Sequence, residues 1–404
     1  MTSPVHGPSP VPLRLALSFQ TITTGVIAGL VGFGSSFAVV VQGLLAVGAT
    51  PEQAASGLTA TCIMMGVAGV LFSLRLRQPI SIAWTTPGAA LLAATGVADG
   101  GFAAAVGAFL LVGALIILCG LWRPLGTLIQ RIPSSIANAM LAGILLPLCL
   151  APFTALKAIP MLAVPVVLAW AVTTVFSRLY AVPVAVLVAL VLMLFPELTG
   201  GQAAAAVSLA PSLSFVTPTL TGSAVVGIAL PLFLVTMASQ NVPGLAILAA
   251  NGYRPNARPL FAGTGLGSML SALCGGLSIN LAAITAALCA GPEASSSPDR
   301  RYIAALMAGL MYVGLAVLSA AAAALVSQSP PLLIQAVAGL ALMNAFAGAA
   351  VAGFQEAEDR LPAVLTFLIT ASGLSLWGIG PAFWGLICGL LFRALLRATA
   401  KPSG

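Results

Sequence analysis

The chain has 404 residues, of which 6% are charged and 60% hydrophobic, against about 25% and 45–50% in soluble domains. That composition excludes a cytosolic enzyme, a nucleic-acid binder and a disordered chain, because too few charges exist to cover a soluble surface. What remains is an all-α polytopic membrane protein: a span takes about 20 apolar residues, and stretches such as 103–121 are apolar on every side rather than alternating as outer-membrane strands do.

The 15 Lys and Arg residues serve as a ruler along the chain. With Lys157 outside and the others cytoplasmic, each apolar block between neighbouring basic groups must cross the membrane an even number of times. Residues 15–74 hold two spans parted near 49–52, residues 78–122 two parted near 98–101, and residues 132–177 two parted at Lys157. Residues 179–253 hold two parted by the outer segment 196–221, and residues 259–299, 302–359 and 361–392 hold two each. The result is fourteen spans with both termini cytoplasmic. The last block offers only about 16 residues per span, so a re-entrant pair there, with twelve full spans, is the alternative. Trp122, Tyr180, Tyr253 and Tyr302 lie within two residues of a cytoplasmic Arg, where amphipathic rings favour the headgroup layer. The net charge of +7 is spread without a basic cluster, so it reads as topological bias rather than as an anionic partner.

Cys62, Cys119, Cys149, Cys274, Cys289 and Cys388 sit in apolar stretches without CxxC spacing and read as buried thiols. His6, the single histidine, lies in a Pro-rich tail, and neither a metal site nor a cofactor is expected. The N-terminus has no signal-peptide cleavage pattern, so the first apolar run is expected to stay as a span. No ionisable side chain falls near the middle of an expected span.

At an offset of 197 the segment from Ser81 to Ala93 aligns with that from Ser278 to Ala290, with six of 13 positions identical. Both would be the third span of a seven-span half, and an odd number of spans inverts one half relative to the other. Interrupted segments at matching places in inverted repeats point to a transporter's substrate site. The stretch from Pro79 to Trp84 favours extended backbone, after which Thr86 can cap a helix with Pro87 at its first position, ending near Ala94. In the second segment Gly275–Ile279 is the extended part, with Asn280 or Ser278 as the cap. Two half-helix N-termini converging at mid-depth would form an anion site without a buried cation. The alternative is that Pro87 only kinks a helix and Asn280 only bridges neighbours.

Gln20 in span 1 and Gln240 with Asn241 in span 8 occupy corresponding places in the two halves, and Pro243-Gly244 would open the helix after them. Each buried amide needs partners, either in a hydrated pocket or between helices. Asn344 in span 12 reads as a helix–helix bond. Thr23, Thr24, Gly32 and Gly34 suggest that span 1 is irregular or closely packed. Trp84 sits mid-span, as a pocket wall or as core, and Phe33 and Phe346 are weaker cases of the same kind.

The stretches Gln78-Pro-Ile-Ser-Ile-Ala-Trp-Thr-Thr-Pro-Gly-Ala, Met237-Ala-Ser-Gln-Asn-Val-Pro-Gly-Leu and Ala249-Ala-Asn-Gly-Tyr-Arg-Pro-Asn resemble the bacterial benzoate transporter (BenE) family, and the likeness covers nearly the whole chain. The resemblance implies an inner-membrane benzoate:proton symporter. More distantly the chain resembles the seven-plus-seven inverted-repeat fold of nucleobase:proton symporters and sulfate-type anion transporters. That fold implies a core domain of spans 1–4 (15–122) and 8–11 (223–326), and a gate domain of spans 5–7 (132–196) and 12–14 (331–398). An outer loop at 197–222 and cytoplasmic tails at 1–14 and 399–404 complete the chain. Nucleobase relatives carry glutamates on the eighth and tenth spans, where this chain has Gln240 and, approximately, Thr285. A neutral pocket suits a carboxylate substrate but leaves the proton without an obvious protein carrier; it could ride with the substrate or use Asp99 or Glu52, or coupling could be absent.

The expectation is therefore a secondary transporter for a small aromatic carboxylate, with benzoate first and a proton as coupling ion. Trp84, Thr85, Thr86, Gln240, Asn241, Asn280, Gln20 and Thr285 are the candidate substrate-binding residues. A nucleobase or an inorganic anion on the same fold is the alternative. An embedded enzyme lacks a catalytic constellation here, and a channel lacks charge rings or a repeated pore motif. The bilayer is a partner and nucleic acid is not; a homodimer is compatible with a uniformly apolar surface.

Overall fold

A computed structural model describes residues 17–122, 132–193, 211, 213–376 and 379–399. Arg14, His6, Arg123, Arg131, Glu197, Lys401 and most of the expected outer loop lie outside them. The first half runs α1 (Phe19–Gly34), α2 (Phe37–Ala46), α3 (Pro51–Leu76), β1 (Ile82–Trp84), α4 (Thr86–Thr95), α5 (Gly101–Leu121), α6 (Ser134–Ala158), α7 (Pro160–Phe176) and α8 (Ala181–Met193). The second half opens with α9 (Gly222–Ala250), which holds π-helical stretches at Val225–Ala229 and Met237–Asn241. It continues with α10 (Ala257–Leu273), β2 (Ile279–Leu281), α11 (Ile284–Ala290), α12 (Tyr302–Leu315), α13 (Ser319–Gln328), α14 (Pro331–Phe354), α15 (Arg360–Ala371) and α16 (Pro381–Thr399). Among the described residues, eight helical stretches are long and apolar enough to cross a bilayer, while α7, α8 and α15 are apolar but shorter. The 12 residues of α15 reach about 18 Å at 1.5 Å per residue, short of a hydrocarbon core of about 30 Å. This is the block whose length was already tight in the sequence.

Local chemistry sets the boundaries. Thr50 and Gln53 form a reciprocal capping box at the start of α3, with Pro51 in its first turn. Arg77 ends α3 in the left-handed region at φ 51°, the only non-glycine with positive φ among the described residues.

The halves pack as an exchange. α3 lies on α12 while its counterpart α10 lies on α5, and the α1–α12 contact is matched by α9 on α5. Glycines bring both crossings close. A Cβ on Gly66 would stand 2.6 Å from the Gly309 carbonyl oxygen, and one on Gly265 would stand 2.6 Å from that of Gly113. Small residues at such crossings let backbones meet where no hydrophobic drive between helices exists.

At the centre β1 and β2 pair antiparallel, with Ile82 opposite Leu281, Ala83 opposite Asn280 and Trp84 opposite Ile279. Ala83 and Asn280 are equivalent under the 197-residue offset, so the pseudo-two-fold relating the halves passes beside this pair. Ile80, Leu277 and Ile279 are fully buried around it, and Ser268 satisfies the backbone of Ile279 on both sides at 2.9 and 3.1 Å.

The segments expected as the third and tenth spans are thus interrupted, as β1–α4 and β2–α11, with shifted helix starts. Thr85 rather than Thr86 caps α4, accepting from the Gly88 N–H at 3.2 Å. Neither Asn280 nor Ser278 caps α11, which begins at Ile284 after Ala283 with no side-chain cap. The reason is the sheet: residues 279–281 are committed to strand pairing, and no helix can start until the chain has left it.

Candidate functional site

Where both half-helices begin, a cavity of about 100 Å³ opens. The α1–α2 break contributes Gly32, Ser35 and Ser36; the β1–α4 junction contributes Trp84, Thr86 and Pro87; the β2–α11 junction contributes Ala282, Ala283 and Thr285. Gln240 enters from α9, Tyr312 from α12, and Ala341, Leu342 and Ala345 from α14.

The break in the first span orients the aromatic wall. Ser36 donates to the Gly32 carbonyl at 3.0 Å and accepts from the Trp84 indole N–H at 2.9 Å. Trp84, 3% exposed, lies with its ring centroid 5.7 Å from Phe33 and 6.4 Å from Tyr312. Gly32 is required here, because a Cβ would collide with the Tyr312 hydroxyl and stand 3.1 Å from the Thr285 methyl.

Among the described residues, none that lines the cavity is Asp, Glu, Lys, Arg or His. Polarity comes from hydroxyls, one amide and backbone. In α4 the Gly88 N–H is taken by the Thr85 hydroxyl and the Ala89 N–H by the Thr85 carbonyl. The Thr86 N–H and hydroxyl have no partner among the described residues, and neither do the N–H groups of Ala283 and Thr285. Unpaired N–H groups at a helix start carry partial positive charge and favour an anion. The seven-residue α11 has little macrodipole, so its contribution is these local donors. The Thr285 hydroxyl is tied to that of Ser81 at 2.9 Å.

Of the residues singled out from sequence, Trp84, Thr86, Gln240 and Thr285 line one cavity. Thr85, Asn241 and Asn280 are fully buried behind it. Thr85 also accepts from the Thr236 hydroxyl at 3.1 Å. Asn241 accepts from the Leu281 N–H at 3.0 Å and sends its NH₂ to the Met237 sulfur at 3.2 Å, so it fixes β2 against the π-helical stretch that carries Gln240. The Asn280 amide, oriented by its partners, accepts from the Thr85 N–H at 3.0 Å and donates to the Leu281 carbonyl at 2.9 Å. These three amides and hydroxyls build the junction rather than line it.

Gln20 is not brought to the cavity. It is exposed and donates to the Glu293 carbonyl at 3.0 Å, about 18 Å from Gly32 along the helix axis at 1.5 Å per residue. Asn344 is exposed one position before the lining Ala345. Phe33 supports Trp84, whereas Phe346 packs beside the core. Ser35, Ser36, Tyr312, Ala341 and Ala345 escaped the sequence reading. The Gly32-Phe-Gly-Ser-Ser36 run carries a breaker signal that could have flagged the serines; Tyr312 and the alanines carry none.

A broken-helix cavity at the junction of two inverted halves defines a polytopic membrane transport protein. The family described as benzoate membrane transport protein (BenE) matches residues 16–395, and the chain belongs to it. The chain is 40% identical over 381 residues to the inner membrane protein YdcO of Escherichia coli (strain K12), covering 94% of this chain and 96% of that protein. It is 33% identical over 395 residues to the benzoate membrane transport protein of Acinetobacter baylyi (strain ATCC 33305 / BD413 / ADP1), covering 96% and 98%. The fold is that of the transmembrane domain of a cyanobacterium bicarbonate transporter, BicA, with TM-score 0.59, 18% identity, and coverage of 93% of this chain and 98% of that one. Murine Slc26a9, an anion transporter solved in the inward-facing state, matches with TM-score 0.60 at 13% identity, covering 96% and 70%. The seven-plus-seven inverted-repeat architecture expected from sequence is the one these neighbours share.

Proposed function

We propose that the chain is a secondary transporter importing a small aromatic carboxylate, benzoate first, across a bacterial inner membrane. The observation that carries this reading is a charge-free cavity pairing open N–H donors at Thr86, Ala283 and Thr285 with an aromatic wall of Trp84 and Tyr312. Membership of the benzoate family and the named relative from Acinetobacter baylyi support it.

The carboxylate sits on the donors, where the Thr86 hydroxyl and Gln240 orient it, and the ring lies against Trp84. A fixed acid would repel this substrate, and none lines the cavity among the described residues. The proton therefore enters with the substrate carboxylate or through a loop-edge acid such as Asp99 or Glu52. Spans 1–4 and 8–11 move as a core against a gate of spans 5–7 and 12–14, with both termini cytoplasmic. The lining fits that division: every polar lining group belongs to the core, and the gate supplies only Ala341, Leu342 and Ala345.

The test is uptake of labelled benzoate into proteoliposomes under an inward proton gradient. Gradient-driven uptake is expected. No benzoate uptake alongside good transport of another anion would overturn the substrate assignment. A second reading keeps the site and changes the cargo, since N–H donors serve an inorganic oxyanion or a nucleobase as well as a carboxylate. Competition by sulfate or uracil but not by benzoate would favour it.

A further inference from the structure

We propose that Ala341 and Ala345 act as a size filter on the substrate ring, restricting the position opposite the carboxylate; this rests on the aromatic-carboxylate reading above. The two alanines are four residues apart on α14 and share a face, with Leu342 as the only other lining residue from that helix. All polar lining groups stand on the other elements. A carboxylate seated on the N–H groups of Thr86, Ala283 and Thr285 therefore directs the far edge of the ring toward the α14 methyls.

Within the gate the wall is stiff, because α14 is fastened to α6 and the two move together. It is locked onto α6 by glycine crossings: a Cβ on Gly339 would run into the Leu148 carbonyl oxygen, and one on Gly353 would stand 3.0 Å from the Ala139 backbone nitrogen. Spare room is also lacking inside. The cavity is small, about 100 Å³, so a ring seated on the donors leaves little space between its far edge and the α14 methyls. An extra methyl opposite the carboxylate must then take its space from the alanines. One methylene in a hydrophobic pocket is worth roughly 10–200-fold in discrimination.

The experiment compares uptake of benzoate and 4-methylbenzoate by the full-length protein in proteoliposomes. The unmodified protein is expected to favour benzoate by about tenfold or more. Ala345→Gly and Ala341→Gly should each narrow that ratio several-fold. Ala345→Leu should depress benzoate uptake itself, while Ala347→Leu, at an exposed position of the same helix, should leave both rates unchanged. A second readout needs no transport: benzoate should protect Ala345→Cys from a thiol-reactive reagent, relative to the unmodified protein. Equal handling of both acids by the unmodified protein, an unchanged ratio in both glycine variants, or absence of protection would each overturn the filter. Absence of benzoate uptake by the unmodified protein would instead overturn the substrate reading, and the filter with it, so the two failures are told apart.

Discussion

At the first junction the chain leaves β1 through Thr85, whose hydroxyl takes the Gly88 N–H and anchors Thr236, and the following helix runs for 10 residues. At the second it leaves β2 through Ala282 and Ala283, with no side-chain cap and a helix of only seven residues. Under the 197-residue offset Thr85 corresponds to Ala282 and Thr86 to Ala283. One repeat thus carries hydroxyls where the other carries methyls. The capped junction spends the Gly88 and Ala89 N–H groups on its own stability, keeps the Thr86 donors open and supplies the indole wall, whereas the uncapped one offers the N–H groups of Ala283 and Thr285. Sequence symmetry locates such a site, and its breaking assigns the roles.

The harshest way to break this contrast is to cap the open junction. Ala283→Asp would satisfy the free N–H groups and place a negative charge where the substrate carboxylate belongs. Benzoate uptake should fall by about two orders of magnitude or more, with thermal stability in detergent equal or higher; retained uptake would refute the role of those donors. Next comes the tie between the junctions. Asn280→Leu removes the bonds to Thr85 and Leu281, leaves the Thr85 N–H only the Ser278 carbonyl at 3.3 Å, and should cost about 1–3 kcal/mol, read as a lowered Tm together with lost uptake. An unchanged Tm would mean that the amide is not a tie. Both this variant and Thr86→Val should harm benzoate binding more than substitution of Asn344.

Smaller effects sharpen the comparison. Thr86→Val keeps the free N–H and removes the hydroxyl, a hydrogen bond to a charged group worth about 1.5–3 kcal/mol, so binding measured by calorimetry should weaken about tenfold or more. Thr285→Val should matter less, because that hydroxyl is already engaged with Ser81. The smallest effect lies away from both junctions. Asp359 sits between α14 and α15, 2.6 Å from Arg393 with Arg397 at 3.8 Å, and accepts from Ser135 at 3.0 Å. The hydrogen bond from Arg393, then that from Ser135 and the two guanidinium charges, hold its carboxyl below the ordinary value against the opposing effect of burial. A lowered folded-state value stabilises at neutral pH and is lost as pH falls through it. Asp359→Asn should therefore lower Tm modestly near neutrality and converge with the parent in acid; a constant difference across pH would contradict the linkage.

Much of this was written in the chain. Sparse charge gave the helical membrane class, and Pro87 with the 197-residue match marked the interrupted pair. Composition could not say which way a buried side chain turns. Asn280, Asn241 and Thr85 were legible as polar groups in apolar surroundings, yet the sheet decided their partners: Asn280 takes the Thr85 N–H of the opposite half, Asn241 the Leu281 N–H of its own half, and the Thr85 hydroxyl the Gly88 N–H of its own helix. Gln20 mirrored Gln240 in sequence but lies a long way down its helix, held by the Glu293 carbonyl. Tyr312, Ala341 and Ala345 belong to helices whose local pattern is plain apolar, so only the packing of α12 and α14 around the junction brings them to the cavity.

The central claim is that backbone donors at these junctions select a negative charge beside an aromatic wall. Equilibrium binding of benzoate and of benzamide to the purified protein tests it most directly, because the two share ring and shape and differ in charge. Benzoate should bind and benzamide should bind at least about tenfold more weakly, a gap of about 1.4 kcal/mol. Equal binding of the two would contradict the claim.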